Sequence, residues 1–331
     1  MFGSTTVKIV VLDYNEKTIY TQYTRHNSDT KNTVCEILTS LADKFPNDDF
    51  TISLTGSGAI SASKYLGIPF IQEVISCKKA IQKYFPKTDV VIELGGEDAK
   101  IIYFDKFIEQ RMNGTCAGGT GAFIDQMAAL LNTDAEGLNN LAKNYEMVYP
   151  IASRCGVFAK TDIQPLINEG AKREDIAVSI FQAVVNQTIS GLACGRPIRG
   201  NIAFLGGPLN YLSELRVRFA KTLNLLPEQA IVPEEAHLLV AKGAAITSCE
   251  NPAISAETLL KKIEKFKESN DNSSQPLLPL FSSKEELKEF KKRHSEATVK
   301  KIDLQNYEGD CFLGIDAGST TSKIVLIDDL R

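Results

Sequence analysis

The sequence predicts an α/β protein with two lobes. The chain has 331 residues, which is enough for two domains or for one large domain with two lobes. Apolar runs of strand length end repeatedly in glycine or small-residue turns, and stretches with helical spacing lie between them. Hydrophobic residues make up 43% of the chain, so a substantial core can form.

The composition argues against a nucleic-acid or membrane partner. The formal net charge is −4 with both signs interspersed, and neither a signal peptide nor an apolar run of about 18 residues stands out. The seven cysteines are widely spaced, odd in number and without a Cys-x-x-Cys pair, which argues against a zinc ribbon or a thioredoxin motif. We therefore expect a cytoplasmic protein in a reducing compartment.

The chain is predicted to begin with a strand hairpin. A turn of small residues leads into a buried strand that ends at Asp13. The next expected elements are a strand over 17–23, a helix over 33–45, a strand over 50–55 and a helix over 71–84. Glu73 on the last helix is interpreted as a surface or salt-bridged residue.

A further apolar strand, over 89–94, runs into two glycines followed by two acids, Gly95-Gly96-Glu97-Asp98. Glycines let backbone N–H groups approach a phosphate closely, and carboxylates are ligands for its magnesium ion. The same pattern also fits a plain hairpin turn, because residues 100–104 can continue as the partner strand. The residues alone leave both interpretations open.

Two cysteines lie at predicted helix starts. Cys116 is in a glycine-rich turn before a helical run that includes Phe123, and Cys155 lies between Arg154 and Gly156 before a second run. Backbone N–H groups and the helix dipole at such positions favour a thiolate. The glycines would let N–H groups approach an anion, either a phosphate or the sulfur atoms of an iron–sulfur cluster. The alternative is that both are buried apolar residues, as most free cysteines are.

The rest of the chain continues the alternation and then changes character. Helices over 163–169 and 175–192 precede a strand over 201–205, which ends in Gly206-Gly207. A helix over 234–248 contains Gly243, and a glycine within a helix marks close packing or close approach of a ligand. Residues 251–310 are rich in charge and in Asn, Ser and Pro, so we expect a linker or appendage outside the main core.

The end of the chain repeats its beginning. Residues 318–328 match residues 3–13 with eight identities in eleven positions. Such a repeat predicts that 311–331 is the start of a second module. In this register Asp316 stands opposite Met1, so the first copy lacks an aspartate that the second has, and we interpret this as truncation.

The glycine turns resemble, in their order, the phosphate and adenosine loops of the ATPase fold shared by actin, sugar kinases and Hsp70 chaperones. Two motifs narrow the resemblance: Cys-Ala-Gly-Gly-Thr-Gly-Ala-Phe-Ile-Asp-Gln-Met-Ala at 116–128 and Ser-Arg-Cys-Gly-Val-Phe-Ala at 153–159. They are similar to those of the activators of 2-hydroxyacyl-CoA dehydratases, a family that includes the ATPase subunits of benzoyl-CoA reductase. The resemblance covers 3–248, and the repeated start resembles the double-module activases of anaerobes.

The resemblance implies an electron-transfer role. Cys116 and Cys155 would be the two ligands that each subunit gives to one four-iron four-sulfur cluster, held between the subunits of a homodimer. ATP binding and hydrolysis would reposition the cluster. An electron from a low-potential donor such as ferredoxin or flavodoxin would then pass to a 2-hydroxyacyl-CoA dehydratase or a related cluster-containing reductase.

The resemblance also places ATP and magnesium in a cleft between two lobes. Glu97 or Asp98 would act in catalysis by positioning magnesium or the attacking water. The residues expected to bind ATP are Gly3, Ser4, Thr5, Thr6, Lys8, Gly95, Gly96, Gly206, Gly207 and Gly243. The expected lobes are 1–88 with 235–250, and 89–234, followed by the appendage at 251–310 and the second module at 311–331. Met1 in place of aspartate, and Glu97 where relatives typically have glutamine, predict altered magnesium binding and hydrolysis.

Two other functions fit the same fold. A sugar or small-molecule kinase would need a catalytic aspartate and no paired cysteines. A nucleotide-switched assembly module of the actin kind would need no cluster either. The three histidines, His26, His237 and His294, have no metal-ligand spacing and are assigned no role.

Overall fold

Strands and helices alternate along most of the chain in the computed structural model. It describes residues 1–105, 107–114, 118–152, 155–269, 278–299, 301, 303–318 and 321–328. These fall into two units, Met1–Ser269 and Asn270–Arg331, which are described separately.

The strands of the first unit are β1 (Thr6–Leu12), β2 (Thr18–Arg25), β3 (Asp49–Phe50), β4 (Val90–Leu94), β5 (Ala99–Phe104), β6 (Ile108–Met112), β7 (Ile202–Leu205), β8 (Ala230–Ile231) and β9 (Ile254–Ser255). Its α-helices are α1 (Thr30–Lys44), α2 (Ala59–Leu66), α3 (Glu73–Tyr84), α4 (Gly121–Leu130), α5 (Ala135–Ala142), α6 (Gly156–Asn168), α7 (Arg173–Thr188), α8 (Gly207–Tyr211), α9 (Ser213–Thr222), α10 (Leu239–Ser248) and α11 (Ala256–Glu268).

A five-stranded sheet with the order β6-β5-β4-β7-β8 organises the second half of this unit. β4 pairs antiparallel with β5 and parallel with β7. Both β4 and β7 are buried along their whole length, as expected for central strands covered on both faces. Because parallel strands end at the same edge of a sheet, the glycine turns that follow β4 and β7 lie next to each other.

Helices cover both faces of this sheet. Helices α4, α5, α6, α7 and α9 pack against one face, where Phe181, Phe204 and Phe219 are fully buried. Helices α3 and α10 pack against the other face through side chains such as Ile81 and Val240. The central strands of the sheet are therefore enclosed, and the glycine turns lie at its edge.

Among the described residues of the first unit, one helix is long and apolar enough to span a membrane: Arg173–Ala193, which is α7 extended by a π-helical turn. Its apolar window is 67% buried inside the unit. Ile176, Ile180 and Val184 are fully buried in the core against the sheet. The apolar character of this helix is therefore explained by its central position in the core.

A second core forms around the β1–β2 hairpin, α1, α2 and α11. The prediction that residues 251–310 lie outside the main core is wrong for α11, whose Leu259, Ile263 and Phe266 are buried there. Their spacing forms one apolar stripe on an otherwise charged helix. Ser255 caps this helix by accepting the Thr258 N–H at 3.2 Å.

The predicted strand over 50–55 forms only in part. Asp49 and Phe50 pair with β9, and Leu54 forms an isolated parallel bridge with Phe70. The remaining residues of this stretch lie outside any strand.

In the second unit, α12 (Lys284–Ser295) has no buried residue, and β10 (Cys311–Ala317) pairs antiparallel with β11 (Ser322–Asp328). Equivalent residues of the two copies of the repeat form the same hydrogen bond. Gly318 donates its N–H to the Thr321 carbonyl oxygen at 3.0 Å, and Gly3 donates to that of Thr6 at 2.9 Å. The repeat seen in the sequence is therefore accompanied by one shared backbone hydrogen bond.

Candidate functional site

The two predicted phosphate loops touch each other. A Cβ atom at Gly96 would lie 2.1 Å from Thr5 Oγ1, so only a glycine allows this approach. Each loop closes into a tight turn, through the Gly3–Thr6 hydrogen bond in the first and through Gly95 N–H to the Asp98 carbonyl oxygen, 2.7 Å, in the second. The structure therefore brings together the two loops that the sequence assigned to one phosphate site.

The third glycine turn lies beside the second loop. Gly206 has a φ of +89°, and a Cβ atom there would lie 2.0 Å from the Leu94 carbonyl oxygen. Gly121, the first residue of α4, is packed less tightly but against the same turns. A Cβ atom on it would lie 3.2 Å from the Gly95 carbonyl oxygen and 3.4 Å from Pro208 Cγ. The turns at Gly95 and Gly206 therefore lie together with the start of α4.

Helix α4 begins directly on the second loop. Gly121 donates its N–H to the Gly95 carbonyl oxygen at 2.9 Å, and Ala122 donates to that of Gly96 at 2.7 Å. These amides belong to the first turn of the helix, where N–H groups have no partner within the helix. Cys116, which precedes this helix, lies outside the described residues. A displacement of the second loop is therefore coupled to the helix that follows this cysteine.

Cys155 is the N-cap residue of α6 and is half-buried. The first residue of the helix, Gly156, packs on α4. A Cβ atom there would lie 3.3 Å from Gln126 Oε1 and 3.7 Å from Phe123 Cδ2. Cys155 thus lies at the point where the start of α6 packs against α4. Arg154, the preceding residue, lies outside the described residues.

Four neighbouring charged residues form a group that we call the charge cluster: Lys8, Glu93 and Lys100, which are buried, and Glu73, which is half-buried. They come from β1, α3, β4 and β5. Lys8, Glu93 and Lys100 are each 7% exposed or less. The two positive and two negative charges balance, which is the condition under which so many ions can be buried together.

Lys100 and Glu73 form a buried ion pair within this cluster. Burial lowers the pKa of Lys100, but the carboxylates of Glu93 and Glu73 outweigh it and raise the pKa overall. Burial also lowers the pKa of Lys8, which Glu93 and Glu73 oppose in part. The sequence interpretation of Glu73 as a salt-bridged residue agrees with this contact.

Glu93 is the residue that sequence reasoning missed. Burial raises its pKa, and Glu73 adds to this, while Lys100 and Lys8 act in the opposite direction. The two acids assigned from the sequence lie further out, with Glu97 exposed and Asp98 half-buried. A usable signal was present: an acid in the apolar run Val90–Leu94 is buried whichever way the strand faces.

The structure also places three more of the residues that the sequence assigned to nucleotide binding. Ser4 is half-buried in the first loop, and Thr6 is buried at the start of β1. Gly243 lies within α10, where a Cβ atom would be 1.8 Å from the Ser76 carbonyl oxygen of α3. Close helix packing is therefore a sufficient reason for this glycine.

The other cysteines differ from Cys155 in their surroundings. Cys35 and Cys77 are buried, and burial raises the pKa of both thiols. Cys194, Cys249 and Cys311 are exposed. In the described ranges no three His, Cys, Asp or Glu residues are grouped to hold a metal ion. A cluster that needs four thiolates would therefore require ligands from a second chain or from outside the described residues.

An enclosed sheet whose central strands end in glycine turns is the arrangement that the sequence predicted for an ATPase of the actin-like fold. A sequence model of the BadF/BadG/BcrA/BcrD ATPase family matches residues 2–245. The chain belongs to this family. Both the family resemblance and the fold predicted from the sequence are thereby confirmed.

Two characterised relatives are dehydratase activators. The chain is 28% identical over 249 residues to the 2-hydroxyisocaproyl-CoA dehydratase activator of Clostridioides difficile, which covers 74% of this chain and 91% of the relative. It is 28% identical over 212 residues to the (R)-2-hydroxyglutaryl-CoA dehydratase activating ATPase of Acidaminococcus fermentans, covering 62% and 80%. A solved structure of the Clostridium difficile activator with bound ADPNP aligns with a TM-score of 0.65 and 26% identity, covering 82% of this chain and 97% of that one.

Proposed function

We propose that this protein is an ATP-driven activator of a 2-hydroxyacyl-CoA dehydratase or a related cluster-containing reductase. Its homodimer would hold one four-iron four-sulfur cluster between the subunits. ATP hydrolysis would drive transfer of a low-potential electron, supplied by a ferredoxin or flavodoxin, to the partner. The observation that carries the proposal is the attachment of α4 to the second phosphate loop, through the carbonyl oxygens of Gly95 and Gly96.

This attachment gives nucleotide binding a mechanical route to the cysteines. A phosphate held by the N–H groups of the loop would favour one position of Gly95 and Gly96 over another. Because two amides of α4 depend on those residues, the helix would follow, and the Cys116 segment with it. The contact of Gly156 with α4 would extend the motion to Cys155.

The relatives support the partner class and the nucleotide. Two of them are activators of 2-hydroxyacyl-CoA dehydratases, and the structure of one has ADPNP bound. We propose the same use of ATP here, in a cytoplasmic protein whose first lobe comprises 1–88 with 235–250 and α11, and whose second lobe comprises 89–234. We also propose that 311–331 begins a second module of the same kind, in agreement with the repeated turn at Gly318.

Magnesium would be held near the second loop by carboxylates, and its role would be to neutralise charge on the phosphates. Glu93 would remain close to Lys8 at the base of the site, and Asp98 or Glu97 at its rim would orient the attacking water.

We expect Asp98→Asn to lower the rate of ATP hydrolysis by about 100-fold, which is the scale of general-base catalysis, with little change in ATP affinity. Steady-state ATPase assays with isothermal titration would measure both. Glu250→Gln, on the exposed turn after α10, is the control.

The cysteine assignment predicts a specific loss of metal. Cys155→Ser and Cys116→Ser should each remove most of the cluster iron and weaken the dimer, because one thiolate ligand per subunit is lost. Cys249→Ser changes an exposed cysteine that follows α10 and should leave both properties unchanged. Iron content and molar mass are measured after anaerobic reconstitution. Equal iron in all three variants would overturn the assignment.

The function itself is tested by electron transfer to a dehydratase. The reduced protein is mixed anaerobically with a 2-hydroxyacyl-CoA dehydratase, and the turnover of that enzyme is followed with ATP or with a non-hydrolysable analogue. We expect activation only with ATP. Phosphorylation of an added sugar would favour a kinase instead, and ATP-dependent polymerisation would favour an assembly module.

A further inference from the structure

Three aromatic side chains, Tyr23, Tyr211 and His237, form a group that the proposed function does not yet use; we call it the aromatic cluster. The Tyr23 and His237 rings are 5.0 Å apart, and those of Tyr211 and His237 are 5.1 Å apart. Tyr23 and Tyr211 are 6.3 Å apart with an edge contact. Tyr211 remains 58% exposed, so its ring is both supported from one side and accessible.

The aromatic cluster lies on the third glycine turn. A Cβ atom on Gly207 would be 3.1 Å from the Tyr23 hydroxyl oxygen. Tyr211 follows Gly207 by four residues in α8, and residues with this spacing share one face of a helix. The exposed ring of Tyr211 therefore stands over the turn that the sequence assigned to the nucleoside.

The order of side chains from the buried Lys8 outward to the exposed Tyr211 matches the order of groups in a nucleotide. Lys8 of the charge cluster lies 5.6 Å from the Tyr23 ring centroid, and the Tyr23 ring leads to Tyr211. A cation beside the phosphate loops is thus followed by aromatic rings beside the third glycine turn. The phosphates would lie at the Lys8 end and the base at the Tyr211 end.

The aromatic cluster is uncharged at neutral pH. Burial, aided by the nearby Lys8 charge, lowers the pKa of His237 to about 4. Burial raises the pKa of Tyr211, as do Tyr23 and Glu235, so the phenol stays protonated. Neutral flat rings favour stacking with another flat ring, and a nucleobase has such a face.

We infer that Tyr211 is the residue on which the nucleobase of the bound nucleotide stacks, with Tyr23 and His237 holding its ring in place. This inference rests on the proposed function, because it assumes that ATP binds at the glycine turns. It makes Tyr211 a determinant of affinity for the base and not for the phosphates.

The test compares ATP with inorganic tripolyphosphate by isothermal titration, using the 331-residue chain. Tyr211→Ala should weaken ATP binding by about 5- to 100-fold, the range found for stacking on an aromatic ring. Its affinity for tripolyphosphate should be unchanged, since no base is present. Tyr211→Phe should bind both ligands as the original protein does, because the ring is kept.

Two further variants make the result decisive. Tyr211→Leu keeps an apolar side chain without the ring and should lose ATP affinity as Tyr211→Ala does. Tyr14→Ala removes a fully exposed tyrosine outside the aromatic cluster and should change nothing. If Tyr211→Ala and Tyr211→Leu bound ATP as tightly as the original protein does, the inference would be overturned while the proposed function stayed intact. If the original protein bound neither ligand, the proposed function would fail as well.

Discussion

Replacing Lys100 by methionine is expected to lower the free energy of unfolding by about 3–5 kcal/mol. The substitution leaves the buried carboxylate of Glu93 and the half-buried carboxylate of Glu73 with only Lys8 to balance them. Removing one partner of a buried ion pair is costly because the other charge stays out of water without compensation. Urea unfolding followed by circular dichroism measures the loss.

A double variant separates charge balance from simple loss of packing. Lys100→Met combined with Glu73→Gln removes one charge of each sign, so it should be clearly more stable than Lys100→Met alone. Lys261→Met breaks the exposed pair with Glu257 and should have no measurable effect. If the double variant were as unstable as the single one, the balance of the charge cluster would not be what stabilises it.

The loss in free energy of unfolding caused by Lys100→Met should also increase as the pH rises. The pKa of Glu93 is raised by burial in the folded protein, so the folded state holds its proton more tightly than the unfolded state does. Stability is then lost as pH rises from the unfolded value of 4.5 toward the folded pKa. The positive charge of Lys100 lowers the pKa of Glu93, so removing Lys100 raises this pKa further and makes stability depend more strongly on pH. Unfolding at pH 5 and pH 8 should therefore differ more in the variant than in the original protein.

Replacing Gly206 by alanine is expected to cost about 2–4 kcal/mol of stability and to abolish tight ATP binding. Its φ of +89° with ψ of 168° is a conformation that only glycine adopts easily. The added Cβ atom would also lie 2.0 Å from the Leu94 carbonyl oxygen, so β4 and β7 would have to move apart at the nucleotide edge. Thermal unfolding and ATP titration measure the two effects.

Gly170 provides a matched control for this substitution. It has a φ of +79°, and nothing lies within 4 Å of the position of its Cβ atom. Gly170→Ala should therefore show only the conformational cost, about 1 kcal/mol, with unchanged ATP binding. Equal losses in the two variants would mean that the close approach to Leu94 contributes nothing.

The glycine turns and the helix starts that follow Cys116 and Cys155 could be predicted from the sequence because each depends on local chemistry. The turn at Gly95 follows an uninterrupted apolar strand, and the helical spacing after Cys116 marks the start of α4 at Gly121. The Glu73–Lys100 pair could not be predicted, because its partners are 27 residues apart and belong to different elements. Only the packing of α3 on the sheet brings them together.

Other elements were missed because their local signals are weak or misleading. The edge strand β6 carries charged residues at every second position, and α5 contains Gly137 and two asparagines, which are poor helix formers. A signal for α5 was nevertheless available, since Asp134 caps it by accepting the Gly137 N–H at 2.8 Å. Helix α11 was obscured by its high charge, although its apolar stripe is regular.

The central claim is that two cysteines from each of two identical chains hold one iron–sulfur cluster. Its most direct test is the iron and acid-labile sulfide content per chain, together with the molar mass of the same anaerobically reconstituted sample. We predict a dimer with about two iron and two sulfide per chain, which gives one four-iron cluster for two subunits. A metal-free protein after reconstitution, or a full cluster on a monomer, would contradict it.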